Sequence, residues 1–198
     1  MRILFIIVYL IFFGRIYSQN WELKKATEEM KIYTAEVKNS SVRKYKIVAL
    51  SNAPIKKVHS LLTDYDNYTK MFNEISDFKL LSKNDTVCIT YTLFDMPWPI
   101  KKRELITKIT TYKSENIIII SSKAINKHSA IDVGQCIRIF DFYETFILKK
   151  INKNQTECTI TGHIDMGGTI PDWAQNMFIA KSPPVKLIHL AEIKNKND

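Results

Sequence analysis

The sequence predicts an α+β domain in which a curved antiparallel β-sheet wraps around one long C-terminal helix. Three observations lead to this fold class. Short segments that alternate apolar with polar residues recur along the chain, brief turns separate them, and an apolar helical stripe follows the last of them. Turns this short leave no room for the crossovers that parallel strands need. The 198 residues, without a low-complexity linker, suffice for one domain with a substantial core.

Two or three strands are predicted within residues 21–51, because 30–37 and 44–50 both alternate apolar with polar side chains. Pro54 then marks the first turn of a helix, and the sequence DYDNY at 64–68 separates it from a second short helix. The side chains expected to be buried are Ile55, Val58, Leu61 and Leu62 in the first helix, and Tyr68, Met71 and Phe72 in the second.

A meander of further strands is expected up to residue 165, since β-type segments alternate there with turn signals. The predicted strands are 78–82, 86–94, 103–112, 117–125, 136–149 and 156–165.

A glycine pair and an apolar stripe predict the final helix. Gly167 and Gly168 allow the chain to turn sharply off the last strand. Either Thr169 caps the helix or Pro171 stands in its first turn. Apolar residues then recur at three- and four-residue steps, as on the buried side of an amphipathic helix. They are Ile170, Trp173, Ala174, Met177, Ala180, Pro184, Leu187 and Ala191.

Residues 1–18 have the pattern of a secretory signal peptide. Arg2 precedes an apolar run at 3–13, and the polar end suits cleavage near Ser18. Eleven apolar residues are too few for a membrane-spanning helix, which takes about 20. We therefore expect a single mature domain, 19–198, that is exported to the periplasm or secreted.

The formal net charge of +9 falls to +7 without the two arginines of residues 1–18. The basic residues are scattered, which leaves two interpretations: a solvated surface, or a weak and transient contact with an anionic membrane surface. An exported chain without a recognised motif is not expected to bind nucleic acid. Neither the three cysteines nor the four histidines form a metal-binding or nucleophile pattern, so no metal ligand and no catalytic residue is predicted.

Three segments resemble those of START-like lipid-binding domains of the bacterial exported type. The sequence MPWP at 96–99, followed by RE at 103–104, is similar to the PWP…RD segment of that group. The sequence DMGGTIPDWAQN at 165–176 is similar to its DPGGSIPxWLxN segment, with Met166 in place of the usual proline. The DYDNY sequence resembles its D-x-x-x-Y helix end. The resemblance covers about residues 21–193.

This resemblance implies a helix-grip fold whose sheet and final helix enclose a hydrophobic tunnel, usually without a cofactor. It implies non-enzymatic binding, and in some cases transport, of a lipid or another hydrophobic small molecule. Two alternatives stay open: an enzyme of the same fold, cyclase-like or hydrolytic, that acts on an apolar substrate, and a scaffold protein with a filled core. Trp173 and Met177 would line the tunnel.

Strand alternation places further candidates on the inner side of the sheet. Glu104 shares a face with Lys108, so that face is expected to point outward and Arg103 inward. Tyr91 and Asp95 are expected on the inner side of the preceding strand, with Asp95 near enough to pair with Arg103. Arg103 is then either a support of the turn or a ligand contact.

In the predicted strand 136–149, Arg138 and Glu144 share a face with the large apolar residues Phe140 and Phe142. Buried charges are costly unless they are paired. Arg138 and Glu144 are therefore expected either to pair with each other or to contact the head group of a ligand.

Trp98 lies between two prolines, which hold it rigidly in core packing, at the tunnel rim or at a tip that faces a membrane. The candidate ligand-binding residues are thus Tyr91, Trp98, Arg103, Arg138, Phe140, Phe142, Glu144, Trp173 and Met177.

Overall fold

The computed structural model describes residues 20–28, 30–131, 136–168, 170–171 and 175. Its strands are β1 Glu22–Ala26, β2 Met30–Val37, β3 Ser40–Ser51, β4 Ile75–Lys83, β5 Val87–Phe94, β6 Arg103–Lys113, β7 Ile117–Ala124, β8 Ile137–Arg138, β9 Asp141–Lys150 and β10 Thr156–Asp165. Its helices are α1 Ile55–Leu62 and α2 Tyr68–Met71, with the 3-10 turn Tyr65–Asn67 between them. The predicted signal peptide lies outside the described residues, and so does most of the predicted final helix, including Trp173 and Met177.

The ten described strands form one sheet. Nine of them follow the order β1-β2-β3-β10-β9-β7-β6-β5-β4, and each neighbouring pair is antiparallel. This confirms the prediction of a large antiparallel sheet. The two-residue strand β8 adds a parallel pairing with the start of β6, which the sequence did not indicate. The pairing of β3 with β10 brings the first strands beside the end of the meander.

One face of the sheet carries the main core, and we call it the inner face. Ile47, Ile160, Phe146 and Ile120 follow one another in register across β3, β10, β9 and β7, and all four are buried. Directly paired residues of neighbouring strands lie on the same face, so these side chains form one apolar row. Helix α1 packs against this row with Ile55, Val58, Leu61 and Leu62, the residues predicted for its buried side.

A smaller core cluster lies at the end of the inner face where β6 begins. Its buried members are Leu105, Ile139, Met166 and Ile170. Phe142 and Phe94 pack against it. The last two buried members follow the end of β10, so this cluster joins the start of β6 to the chain that leaves the sheet.

The register between β5 and β6 corrects one predicted face. Phe94 pairs with Arg103 and Tyr91 pairs with Ile106, so Tyr91 and Arg103 lie on opposite faces of the sheet. The prediction that Tyr91 faces inward was wrong. The inner face of β5 instead carries Cys88, Thr90 and Thr92 beside Phe94, and all three are buried. The prediction failed because the larger apolar residues of β5 were expected to face inward, whereas the smaller and more polar residues do so.

The predicted strand 136–149 is in fact two strands, because pairing stops between Arg138 and Asp141. The interruption breaks the alternation on which the prediction relied. Phe140 is consequently 61% exposed, so its predicted place among the inward-facing aromatics was wrong. Arg138 and Glu144 likewise belong to different strands and do not pair with each other.

Cys88 and Cys158 are buried, and Cys136 is half-buried. The longest helix of the described ranges has eight residues, and no helix there is long and apolar enough to cross a bilayer.

Candidate ligand-binding site

Glu144 lies on the inner face, where a tyrosine reaches it from two strands away. Gly162 of β10 pairs with Glu144 of β9 on one side and with Tyr45 of β3 on the other. The phenol of Tyr45 crosses over Gly162 and donates a hydrogen bond to Oε1 of Glu144. A Cβ atom at position 162 would lie 2.5 Å from the Tyr45 hydroxyl oxygen and 2.7 Å from Cζ. The contact therefore requires glycine between the two residues.

Part of the inner face stays accessible, whereas the row under α1 is fully buried. We call this part the open half; its members, all half-buried, are Ser122, Ala124, Phe142, Glu144 and Ile164. Ser122 and Glu144 pair directly, and Phe142 pairs with Ile164. The open half is thus one contiguous patch that is mainly apolar, with Glu144 as its acidic group.

Burial raises the pKa of Glu144 to about 7, and the hydrogen bond from Tyr45 opposes this shift only in part. The pKa of Tyr45 is raised well above its usual value, first by burial and then by the nearby Glu144 carboxylate. The pKa of Tyr68 is also raised, first by burial and then by the nearby Glu144, but the Tyr68 hydroxyl donates to the Leu62 carbonyl at 2.9 Å. Within the described ranges, Tyr45 is the one hydrogen-bond donor to Glu144.

Glu104 lies on the opposite face, as predicted, but it is buried there, with an exposed fraction of only 2%. Arg138 donates to Oε1 of Glu104 from Nη2 at 2.7 Å and from Nε at 2.9 Å, and Tyr91 donates to Oε2 at 3.2 Å. Burial and the Glu104 carboxylate raise the pKa of Tyr91 to about 12. The parallel pairing of β8 with β6 places Arg138 beside Glu104 in register.

Arg103 is 1% exposed and binds backbone oxygens rather than a carboxylate. Its Nε donates to the Met166 carbonyl at 3.2 Å and its Nη2 to the Gly167 carbonyl at 2.9 Å, while Nη1 donates to the Lys101 carbonyl. The predicted pairing of Asp95 with Arg103 was wrong. Asp95 instead binds the neighbouring Lys102 at 2.6 Å, on the exposed side of the turn.

The carbonyls that Arg103 holds belong to the predicted glycine turn. Gly167 has a φ of 65° and Gly168 a φ of 68°, a region that residues with a Cβ atom rarely adopt. A Cβ atom at Gly168 would also lie 3.1 Å from Cδ1 of Ile137 and 3.4 Å from Nη2 of Arg103. Arg103 therefore fixes the turn at which the chain leaves β10.

The predicted site residues separate into three groups. Phe142 and Glu144 lie together in the open half, and Arg103 lies at its end beside the glycine turn. Tyr91 and Arg138 join Glu104 on the opposite face, whereas Phe140 and Trp98 are exposed by 61% and 93%. The structure contains no group of three His, Cys, Asp or Glu side chains placed to hold a metal ion within its described ranges.

Tyr45 and Gly162 were missed as site residues. The available signal was Gly162 itself, because glycine inside an alternating strand often marks a close approach of another group.

Replacing Arg103 by lysine should destabilise the fold by about 2–4 kcal/mol, because the single nitrogen of an ammonium group cannot reach all three carbonyls that separate guanidinium nitrogens bind. Urea unfolding monitored by tryptophan fluorescence would measure this. Arg43→Lys is the matched control, since Arg43 is partly exposed and its pair with Glu22 lies at the surface. Equal losses in the two variants would contradict the role given to Arg103.

Glu144→Gln should change how stability depends on pH. Folding raises the pKa of Glu144 from its ordinary value of 4.5 to about 7, because the carboxyl is buried, so the folded state binds a proton more tightly than the unfolded chain between these values. The free energy of unfolding should therefore fall as pH rises through this window, by about 2–3 kcal/mol from this group. Above pH 7 the carboxyl is ionised in both states and the change ends.

The non-titrating Glu144→Gln variant should lack that part of the decline, as measured by urea unfolding at pH 5 and pH 8. Glu157→Gln is the control, because Glu157 lies on the other face of β10 from Cys158 and the inner core. A decline of the same size in the wild type and in Glu144→Gln would show that Glu144 does not titrate as stated.

Comparison with known proteins supports the fold. No family model matches the sequence. An uncharacterized protein of Pseudomonas aeruginosa is 28% identical over 171 residues, which cover 86% of this chain and 84% of that protein. A STAR-related lipid transfer protein from Xanthomonas axonopodis superposes with a TM-score of 0.75 at 22% identity, covering 88% of this chain and 97% of that one.

Two further solved structures are similar at greater distance. Human StAR-related lipid transfer protein 5 superposes with a TM-score of 0.73 at 13% identity, covering 92% of this chain and 90% of that one. The Zhui aromatase/cyclase from Streptomyces gives 0.55 at 12% identity, covering 76% and 94%. These likenesses, together with the single large antiparallel sheet, show that the chain has the START-like fold.

Proposed function

We propose that this protein binds a lipid or another hydrophobic small molecule, without catalysis, on the open half of the inner face of its sheet. The observation that carries the proposal is the difference in side-chain burial along that face. Ile47 and Ile160 have no exposed surface beneath α1, whereas Phe142 and Ile164 stay half-buried beside them. Apolar side chains that keep accessible surface next to a closed core are typical of a ligand pocket.

The relatives support the same proposal. The Xanthomonas protein and the human protein of this fold are both named as lipid transfer proteins. The predicted tunnel, closed by the final helix with Trp173 and Met177, is part of this proposal. Burying the chain of a lipid contributes about 0.8 kcal/mol per methylene, and association offsets much of that gain. Affinity then depends on how well the open half fits the ligand.

The second candidate is an enzyme of the same fold, because the pKa of Glu144 is raised. A carboxyl group with a pKa of about 7 in an accessible apolar site suits general acid or base catalysis. A structural neighbour named an aromatase/cyclase shares the fold at 12% identity. In that case the molecule released from the protein would be chemically altered from the one supplied.

The purified full chain should carry an extractable hydrophobic molecule. Native mass spectrometry should show a non-covalent mass increase that is lost on denaturation, and organic extraction should recover the molecule for identification. Incubation with a panel of lipids should add ligands that are recovered unchanged. Absence of any bound species after both steps would contradict binding, and recovery of altered molecules would favour the enzyme.

The proposal includes a transient contact with a membrane through the loop between β5 and β6. Trp98 at its tip is 93% exposed, and Lys101 and Lys102 follow it on the exposed side. Indole rings favour the boundary between head groups and acyl chains, and lysines are attracted to anionic lipids. A ligand taken from a bilayer would meet this loop at the end of the sheet where the open half lies.

Trp98→Ala should weaken binding to vesicles of phosphatidylcholine and phosphatidylserine by roughly tenfold, because burial of a large aromatic side chain contributes about 1.5–3 kcal/mol. Vesicle co-sedimentation would measure this. Tyr112→Ala is the matched control, since Tyr112 is 61% exposed on the strand β6 and away from the loop. Unchanged binding in Trp98→Ala, or an equal loss in the control, would rule the loop out.

A further inference from the structure

We propose that Glu144 recognises a hydrogen-bond donor at the polar end of the ligand, so that the protein selects long-chain alcohols or amines over carboxylic acids. This inference rests on the proposed function and adds to it the chemical class of the ligand. It depends on three features of the open half: the position of Glu144, the donors already used around it, and the absence of a paired cation in the described ranges.

The position of Glu144 brings it within reach of a ligand on the open half. Glu144 lies at the centre of the sheet, with Gly162 and Ser122 directly across on its two sides. Phe142 and Phe146 are its inner-face neighbours along β9, so the carboxyl group stands among aromatic side chains. A ligand chain that packs on Phe142 and Ile164 would bring its polar end to this carboxyl.

Among the described residues, the hydrogen bonds of Glu144 leave Oε2 without a donor. Tyr45 occupies Oε1, and the hydroxyl of Tyr68 is committed to the Leu62 carbonyl. No second donor from the described ranges reaches the carboxyl group. Oε2 can therefore accept a hydrogen bond from a hydroxyl or an ammonium group.

Two arginines near the site, Arg138 and Arg103, are committed to other partners. Arg138 binds Glu104 on the opposite face, and Arg103 binds the carbonyls of the glycine turn. A buried carboxylate with a single phenol partner is costly, and a donor on the ligand would reduce that cost. A ligand carboxylate would instead place two acidic groups side by side, which disfavours the ionised form of both.

The groups that face Glu144 also determine its dependence on pH. Tyr45 faces it from β3 and Tyr68 from α2, and both are neutral near pH 7 because burial raises their pKa values. Tyr143 and His163 are adjacent in sequence to inner-face residues and therefore lie on the other face. Among the described residues that face the site, Glu144 is then the group whose ionisation near pH 7 alters the charge that a ligand meets there.

The test compares four ligands of equal chain length on the full-length protein: hexadecanol, hexadecylamine, hexadecanoate and methyl hexadecanoate. Each competes with the fluorescent probe Nile red at pH 8. The alcohol and the amine should displace the probe at least about tenfold more effectively than the acid and the ester, as expected for a hydrogen bond to a charged acceptor. The order of alcohol and amine then distinguishes the two kinds of donor.

Three variants separate recognition from damage to the fold. Glu144→Gln should weaken amine binding at least about tenfold at pH 8 and should cancel the discrimination against hexadecanoate. Tyr45→Phe should keep the preference, because Tyr45 occupies Oε1 and the ligand is bound by Oε2. Glu157→Gln, on the other face of β10, should behave as the wild type.

The dependence on pH gives a readout that a purely structural role would not produce. The advantage of the amine over the ester should fall as pH is lowered from 8 to 6 in the wild type, and it should stay constant in Glu144→Gln. If Glu144→Gln does not fold, the wild-type order, its dependence on pH and Tyr45→Phe decide the question.

Equal binding of all four ligands would overturn this inference and leave the proposed function intact. A preference for hexadecanoate would also overturn it. Displacement by none of the four would overturn the proposed function together with the inference.

Discussion

The buried guanidinium group of Arg103 is the constraint on which the geometry of the site depends. It satisfies carbonyls of Met166 and Gly167 at a turn where no strand pairing can do so. Because Arg103 is also the first residue of β6, it joins the middle of the sheet to the end of its last strand. The direction in which the chain leaves β10, and with it the boundary of the open half, follows from these hydrogen bonds.

Glu104 and Glu144 show how differently the opposite faces of the sheet are built. Glu104 has a guanidinium group and a phenol as partners, so its charge is balanced within the protein. Glu144 has a phenol as its one partner from the described part of the chain, and it lies among apolar side chains. The first arrangement is that of a structural ion pair, and it accounts for Arg138 and Tyr91 without a ligand. The second arrangement leaves Oε2 of Glu144 without a hydrogen-bond donor from the described residues.

The sequence predicted the antiparallel sheet and the buried side of α1, because both depend on local periodicity. It failed where a face depends on register. Tyr91 was assigned to the wrong face because large apolar residues were expected inside, whereas small threonines fill the interior of β5. The interruption between β8 and β9 carries no glycine or proline to announce it. The contact of Tyr45 with Glu144 joins residues 99 positions apart, and only the pairing of three strands reveals it.

The close contact between Gly162 and the ring of Tyr45 links the substitutions that positions 162 and 45 can accept. Any larger residue at 162 would push the ring of Tyr45 away from β9, while a small residue at 45 would leave a gap above the glycine. Substitutions at these positions are therefore tolerated in pairs rather than singly. Among homologous chains, correlated replacement at 45 and 162 would identify the lineages that have lost the hydrogen bond from residue 45 to Glu144 of β9.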